Sequence, residues 1–348
     1  MAYSTIPKGN LYMNNVLWTG NNTARTITGV NFQPDFTWIK SRTQAYNHIL
    51  TDVLRGTTKY LSSNTNTVET TDAQTLTAFA SDGFSIGTSN LVNQNVQDHV
   101  AWNWKAGTGQ GSSNTDGSIN TAYTSVNTTA GFSISSFTGT GANATFGHGL
   151  GAVPKMYILK RYDSSNNWRV YHESIGNGKY MTLETTEAEQ TSSGFTNNTS
   201  PTSSLISLGN LGSANPSGGS VICYAFAEKQ GYSKFGSYTG NGNADGTFVY
   251  TGFLPSFVMV KQTNASGEDW FICDNKREGY NGENNRLLPN LNSAESTDSP
   301  IDILSNGFKA RQSGAAVNGS GASYIYMAFA ENPFVATSGT NAIPVTAR

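Results

Sequence analysis

The chain has 348 residues, enough for two or three domains with cores of their own. Charged residues make up only 13% and the net charge is −2, which leaves no field to draw in nucleic acid or anionic lipid. No run of 18 apolar residues occurs, so membrane insertion by a helix is excluded.

The hydrophobic share is 36%, Gly reaches 37, and Ser, Thr and Asn fill much of the remainder. Thr and aromatics suit strands, while Gly, Asn and Ser suit turns, so the composition predicts an all-β protein. At the N-terminus, Met1 to Lys8 lacks the apolar stretch of a secretory signal, so the chain is expected to be made and folded in a cytoplasm.

Read in chain order, three segments share an opening, a middle and an end. The opening is aromatic-Thr-Gly: Trp18-Thr19-Gly20, Phe137-Thr138-Gly139 and Tyr238-Thr239-Gly240. Then comes a Pro (Pro34, Pro154, Pro255) that starts an apolar strand ending six residues later in Lys40, Lys160 or Lys261. In the second and third copies that strand is apolar at both parities, which predicts cover on both faces. The end is a strand built around Ala101-Trp102, Ala225-Phe226 and Ala328-Phe329, lying 67, 71 and 73 residues after the Pro. Its alternation of Ala with rings predicts rings on one face and close packing on the other.

Shorter strands are expected between these anchors, at Trp168 to His172 and Trp270 to Asp274, and a small helix near Thr70 to Phe79 or Asp298 to Leu304. The fold class is therefore three tandem β-sandwich-like repeats, jelly-roll or lectin-like, of about 95–105 residues. Their bounds are 1–107, 131–232 and 233–334, with a polar connector at 108–130 and a polar tail at 335–348 that is read as docking on a neighbour. The connector reads as flexible or draped on the surface. Lys229 to Lys234 is too short to let copies two and three separate. Each copy is expected to bury a core of its own, like beads rather than a solenoid.

Chemistry is sparse. His48, His99, His148 and His172 form no H-x-x-H pair, and with Cys223 and Cys273 scattered no zinc set assembles, so metal and cofactor are read as none. The two cysteines are read as buried free thiols. Gly176-Asn177-Gly178-Lys179 lacks the Ser/Thr and the helix of a phosphate loop and reads as a turn. Asn241-x-Asn243-x-Asp245-Gly246 copies half a calcium loop but has Gly252 where the bidentate Glu belongs, and reads as a hairpin turn. Glu187 with Glu189, and Glu268 with Asp269, are pairs with no acid placed opposite them, and read as solvated charges. Trp168 and Trp270 occupy equivalent places after polar turns. They are read as filling a core edge, with sugar stacking as the alternative.

Several stretches carry a resemblance: Gly147-His148-Gly149-Leu150-Gly151 running into Pro154 to Lys160, Gly231 to Gly240, Asp274-Asn275-Lys276-Arg277, and Val100-Ala101-Trp102-Asn103-Trp104-Lys105. From about Leu11 to Pro333 the chain resembles repeat-built, tail-fibre-like virion structural proteins of marine tailed bacteriophages. That resemblance implies a non-enzymatic virion component exposed on the particle surface, with no catalytic residues to carry over. A tail fibre or host-recognition part is the leading expectation, and a capsid decoration or head-fibre protein the alternative. A glycan-degrading enzyme ranks third. The implied partners are other virion proteins, copies of the chain (a trimer by analogy) and a host-surface glycan. No nucleic acid or membrane partner is expected.

Overall fold

A computed structural model describes residues 4–6, 8–277, 281 and 284–333. Strands make up 42% of the chain and helix 4%, so the protein is all-β. Among the described residues, no helix is long and apolar enough to cross a membrane.

Twelve strands build three main sheets. In copy one these are β1 (Met13–Thr19), β2 (Phe36–Ser41), β3 (Ile49–Asp52) and β4 (Asp98–Trp104). In copy two they are β5 (Phe132–Thr138), β6 (Pro154–Arg161), β7 (Arg169–His172) and β8 (Ser220–Ala227). Copy three has β9 (Ser233–Thr239), β10 (Phe253–Gln262), β11 (Phe271–Asp274) and β12 (Ser323–Pro333). The antiparallel order is the same each time: β1-β4-β2-β3, β5-β8-β6-β7 and β9-β12-β10-β11. The aromatic-Thr-Gly opening thus ends the first strand of this shared four-strand order, and the closing strand lies beside it in the sheet.

Each main sheet carries a smaller sheet on its outer face: Arg25–Thr28 with Gly83–Ile86 and Leu76–Ala80, Ala144–Gly147 with Leu205–Leu208, and Phe248–Tyr250 with Gly307–Ala310 and Ile301–Leu304. These pairs are the sandwiches expected from the sequence. The Pro positions differ in detail. Pro154 opens β6, Pro34 stands two residues ahead of β2, and Pro255 sits inside β10 at a register shift, where a missing N–H costs no ladder bond.

The expectation of three separate beads is overturned. The inner faces of all three main sheets meet in one central core that draws on Phe36 and Trp104, Met156 and Phe226, and Phe257 and Phe329. The reason lies in the two-faced strands. In β6, Met156 and Ile158 face the central core while Tyr157 and Leu159 face the copy's own sandwich. In β8, Ile222, Tyr224 and Phe226 point inward while Val221, Cys223, Ala225 and Ala227 point outward. A sheet with two apolar faces needs two covers, and the second comes from the other copies.

One further expectation changes, and the two readings of the connector are decided. No helix forms near Thr70 to Phe79 or Asp298 to Leu304; strands Thr70–Thr71, Leu76–Ala80 and Ile301–Leu304 stand there, and among the described residues the α-helices are single turns at Asn90–Asn93 and Ser193–Thr196. The connector is draped rather than loose. Ser112 bridges Thr124, Ile119 bridges Phe146 in parallel, and Tyr123–Asn127 joins the edge of copy two's sheet. The tail at 335–348, expected to dock on a neighbour, lies outside the described residues.

Candidate functional site

Pairing in the sheets aligns the copies residue by residue and corrects the sequence alignment of the closing strand. Phe36, Met156 and Phe257 each stand four residues before the strand's Lys, and they pair with Trp104, Phe226 and Phe329. The counterparts of Ala225-Phe226 are therefore Asn103-Trp104, not Ala101-Trp102. Trp104, Phe226 and Phe329 touch one another edge to face, with centroids 6.5, 5.9 and 6.0 Å apart and planes 65°, 72° and 63° apart. Three equivalent rings in a near-equilateral triangle mark a pseudo-threefold axis along the core.

Contacts between copies run in one rotational sense, so the three interfaces are equivalent and the ring closes. The Trp168 indole of copy two donates to the carbonyls of Ser62 and Thr65 in copy one, at 3.0 and 3.1 Å. The Trp270 indole of copy three donates to Thr182 of copy two at 3.1 Å. Copy one fills the same place with His48: its Nδ1 accepts from the Trp38 indole, so Nε2 is the donor toward Leu288 and Leu291 of copy three, at 3.0 and 3.2 Å. Burial holds the His48 imidazole neutral, its pKa lowered to about 3. Trp168 and Trp270 thus seal joints between copies and have no face free for a sugar.

A second set lies deeper. The Tyr224 hydroxyl of copy two donates to Asp52 of copy one at 2.7 Å, and the Trp102 indole of copy one donates to Asp274 of copy three at 2.9 Å. Each Asp also holds an arginine three residues on, Arg55 or Arg277, through Nε at 2.6 Å. Copy two has His172 in place of the Asp, and Met327 stands where Trp102 and Tyr224 stand. With no donor to meet, His172 accepts a hydrogen bond on Nδ1 from the Ser174 amide and donates from Nε2 to the Tyr326 carbonyl at 3.1 Å.

A third recurrence escaped the sequence reading. Buried Asn93, Asn215 and Asn318 clamp the turn after each aromatic-Thr-Gly, their Oδ1 accepting from the amides of Asn21, Thr140 and Asn241.

The remaining candidates resolve into structure. The Asn241-to-Asp245 turn is tied to Asn318, and exposed Asp245 pairs with Lys309. Glu189 pairs with Lys179, the last residue of the would-be phosphate loop, and its amide donates to Thr263 of copy three. Glu187 accepts from Thr185, and Asp269 accepts from Asn290. His99 stacks on Trp18, and His148 accepts from the Leu150 amide. Cys223 and Cys273 are buried and free. Among the described residues, no three His, Cys, Asp or Glu side chains converge as a metal site.

What departs from the threefold pattern is the outer edge strand of copy three. Phe248 and Tyr250 point to solvent, 45% and 55% exposed, with buried Val249 between them. The pairings Ile27 with Phe84, Phe146 with Ile206 and Val249 with Phe308 identify the counterparts: Thr26 and Thr28 in copy one, Thr145 and Gly147 in copy two. Only copy three puts two rings on this edge. Side chains two apart in a strand share a face and stand about 6.6 Å apart. Beside Tyr250 opens a shallow cleft of about 380 Å³ at the joint of copies two and three, with Glu228, Gln230, Ser233 and Lys234 in its wall. Glu228 and Lys234 pair at 2.8 Å, so the cleft carries no net charge. Nothing in the sequence distinguishes an exposed Phe248 from a buried one; the signal is its mismatch with Thr26 and Thr145.

The model of a family described as "Domain of unknown function (DUF7483)" matches residues 8–333. No curated protein matches the chain.

Proposed function

The chain belongs to that family, and from its geometry we propose that it is a non-enzymatic structural protein of a bacteriophage virion, exposed on the particle as a tail-fibre or host-recognition component. One observation carries the reading: a single chain closes three copies into a ring about a pseudo-threefold axis, through three equivalent sets of buried contacts. The resemblance implies a threefold assembly by analogy, and the three copies within this chain supply a pseudo-threefold axis of their own. Its neutral, hydroxyl-rich surface and turns pinned by buried Asn suit a rigid outer part. The trimer of chains expected by analogy remains part of this proposal, beside the threefold arrangement of copies within each chain.

A second reading, a capsid decoration or head-fibre protein, draws on the same ring: the copies wrap around an axis instead of stringing into a shaft. Immunogold labelling of intact phage particles with antibody to this chain separates the two. Gold on tails supports the first reading, gold on heads moves the proposal to the second, and unlabelled particles overturn both. Release of reducing ends from host polysaccharide by the purified protein would overturn the non-enzymatic assignment.

A further inference from the structure

We infer that the copy-three edge strand, Phe248–Tyr250, is a docking rail for one extended, uncharged polypeptide segment of another protein. The inference stands apart from the virion reading, because it rests on the ladder and on what copy two already does with the same edge.

Val249 pairs with Phe308, and two residues to either side the Ala310 amide donates to Thr247 and the Thr251 amide to Asn306, each at 3.0 Å. Antiparallel strands alternate their bonds, so the N–H and C=O of Phe248 and Tyr250 point away from the ladder to the open side. In copy two the counterpart edge is occupied. The connector lies along it, with the Ile119 amide donating to the Thr145 carbonyl at 2.8 Å and the Thr145 amide donating to Ser118 Oγ at 2.9 Å. Ile119 is buried by this contact. The fit is close enough that a Cβ on Gly147 would meet Asn114 Oδ1 at 1.7 Å. The molecule therefore shows what this edge receives: an extended segment with a hydroxyl residue next to a β-branched apolar one.

Among the described residues, copy three has no such segment of its own, and it carries Tyr250 where copy two has Gly147. The two rings stand ready to cover apolar side chains of an added strand, as cross-strand neighbours do. Copy one, with Thr26 and Thr28 and the Thr26 hydroxyl bonded to Ser85 at 2.8 Å, offers no apolar cover. Nearby charges are already matched, Glu228 with Lys234 and Asp245 with Lys309, which selects an uncharged occupant.

The test is selection of a displayed random-decapeptide library on the full-length protein, followed by anisotropy titration of the most enriched peptide. Enrichment of uncharged sequences in which Val or Ile neighbours Ser or Thr is expected. Phe248→Pro removes an N–H directed at the open edge and no ladder bond, so it should weaken binding at least about tenfold with an unchanged melting temperature. The pair Phe248→Thr and Tyr250→Thr installs copy one's residues and should weaken binding likewise. The proposal fails if no peptide is enriched, or if the enriched peptide binds Phe248→Pro as well as the parent. It also fails if amide signals of Phe248 and Tyr250 move with a neutral oligosaccharide and not with peptide. Self-association abolished by Phe248→Pro would reassign the edge to a second copy of this chain.

Discussion

At the level of single residues, one position shows how the copies differ chemically while keeping one geometry. The amide that begins each joint is met by a side-chain oxygen: Asn64 for His48 at 3.0 Å, Asn290 for Trp270 at 3.0 Å, and Glu184 for Trp168 at 3.2 and 3.1 Å. Burial raises the Glu184 carboxyl to about 7, against the pull of the Trp168 amide and Lys160. A carboxyl whose folded pKa lies above its unfolded value contributes most at low pH, and its contribution is lost as pH rises from about 4.5 through 7. Glu184→Gln restores the amide chemistry of the other two copies. Relative to this variant, the parent should lose on the order of 1–2 kcal/mol between pH 5 and pH 8, read from urea unfolding at both values. A difference between the two proteins that does not vary with pH would refute the assignment.

The Asp52–Arg55 pair poses the opposite case, two charges fully buried together. Asp52→Ala takes away the guanidinium's fully buried partner and leaves it only the partly exposed Glu69 at 3.2 Å, so it should cost about 3 kcal/mol. Copy two manages the same place with His172 and Ile175, without an arginine. Adding Arg55→Ile to Asp52→Ala should therefore recover part of the loss, and a double-mutant cycle that comes out additive would contradict the coupling.

At the level of strands, the sequence was legible wherever a pattern had one physical cause. Apolar residues at both parities implied two covered faces, and alternating Ala with rings implied rings toward a core; β6 and β8 satisfy both. The copy-one closing strand was misaligned because Ala101-Trp102-Asn103-Trp104 offers two Trp positions, and only pairing with Phe36 selects Trp104. Two-faced strands also gave no hint of what lay beyond the second face, so a shared core looked like three separate ones. Asn93, Asn215 and Asn318 were invisible for a different reason: in a chain so rich in Asn, burial alone marks them out. The exposed edge at Phe248–Tyr250 escaped notice likewise, since exposure is a property of the assembled sandwich.

At the level of the whole molecule, closure decides how the protein should unfold. In an open array each copy touches only its neighbours and the ends can fray. Here copy three returns to copy one, with the Trp102–Asp274 bond, a bidentate Arg42–Glu295 pair, and Gly9 seated so tightly on β12 that a Cβ would meet the Ala330 carbonyl at 2.0 Å. Removing copy three would expose Trp104 and Phe226 on the axis, orphan Asp52's neighbours in the core only indirectly, but strip His48 and His172 of their acceptors at once. Neither remaining copy can re-cover its inner face, because the third wall of the core is gone. Calorimetry of the full chain should therefore give one transition, with calorimetric and van't Hoff enthalpies equal. A chain ending before Ser233 should show no cooperative transition and no near-ultraviolet signal from its packed tryptophans. Three separable transitions, or a two-copy fragment that melts cooperatively, would mean that the copies are beads after all and that the axial ring triad is a contact rather than a core.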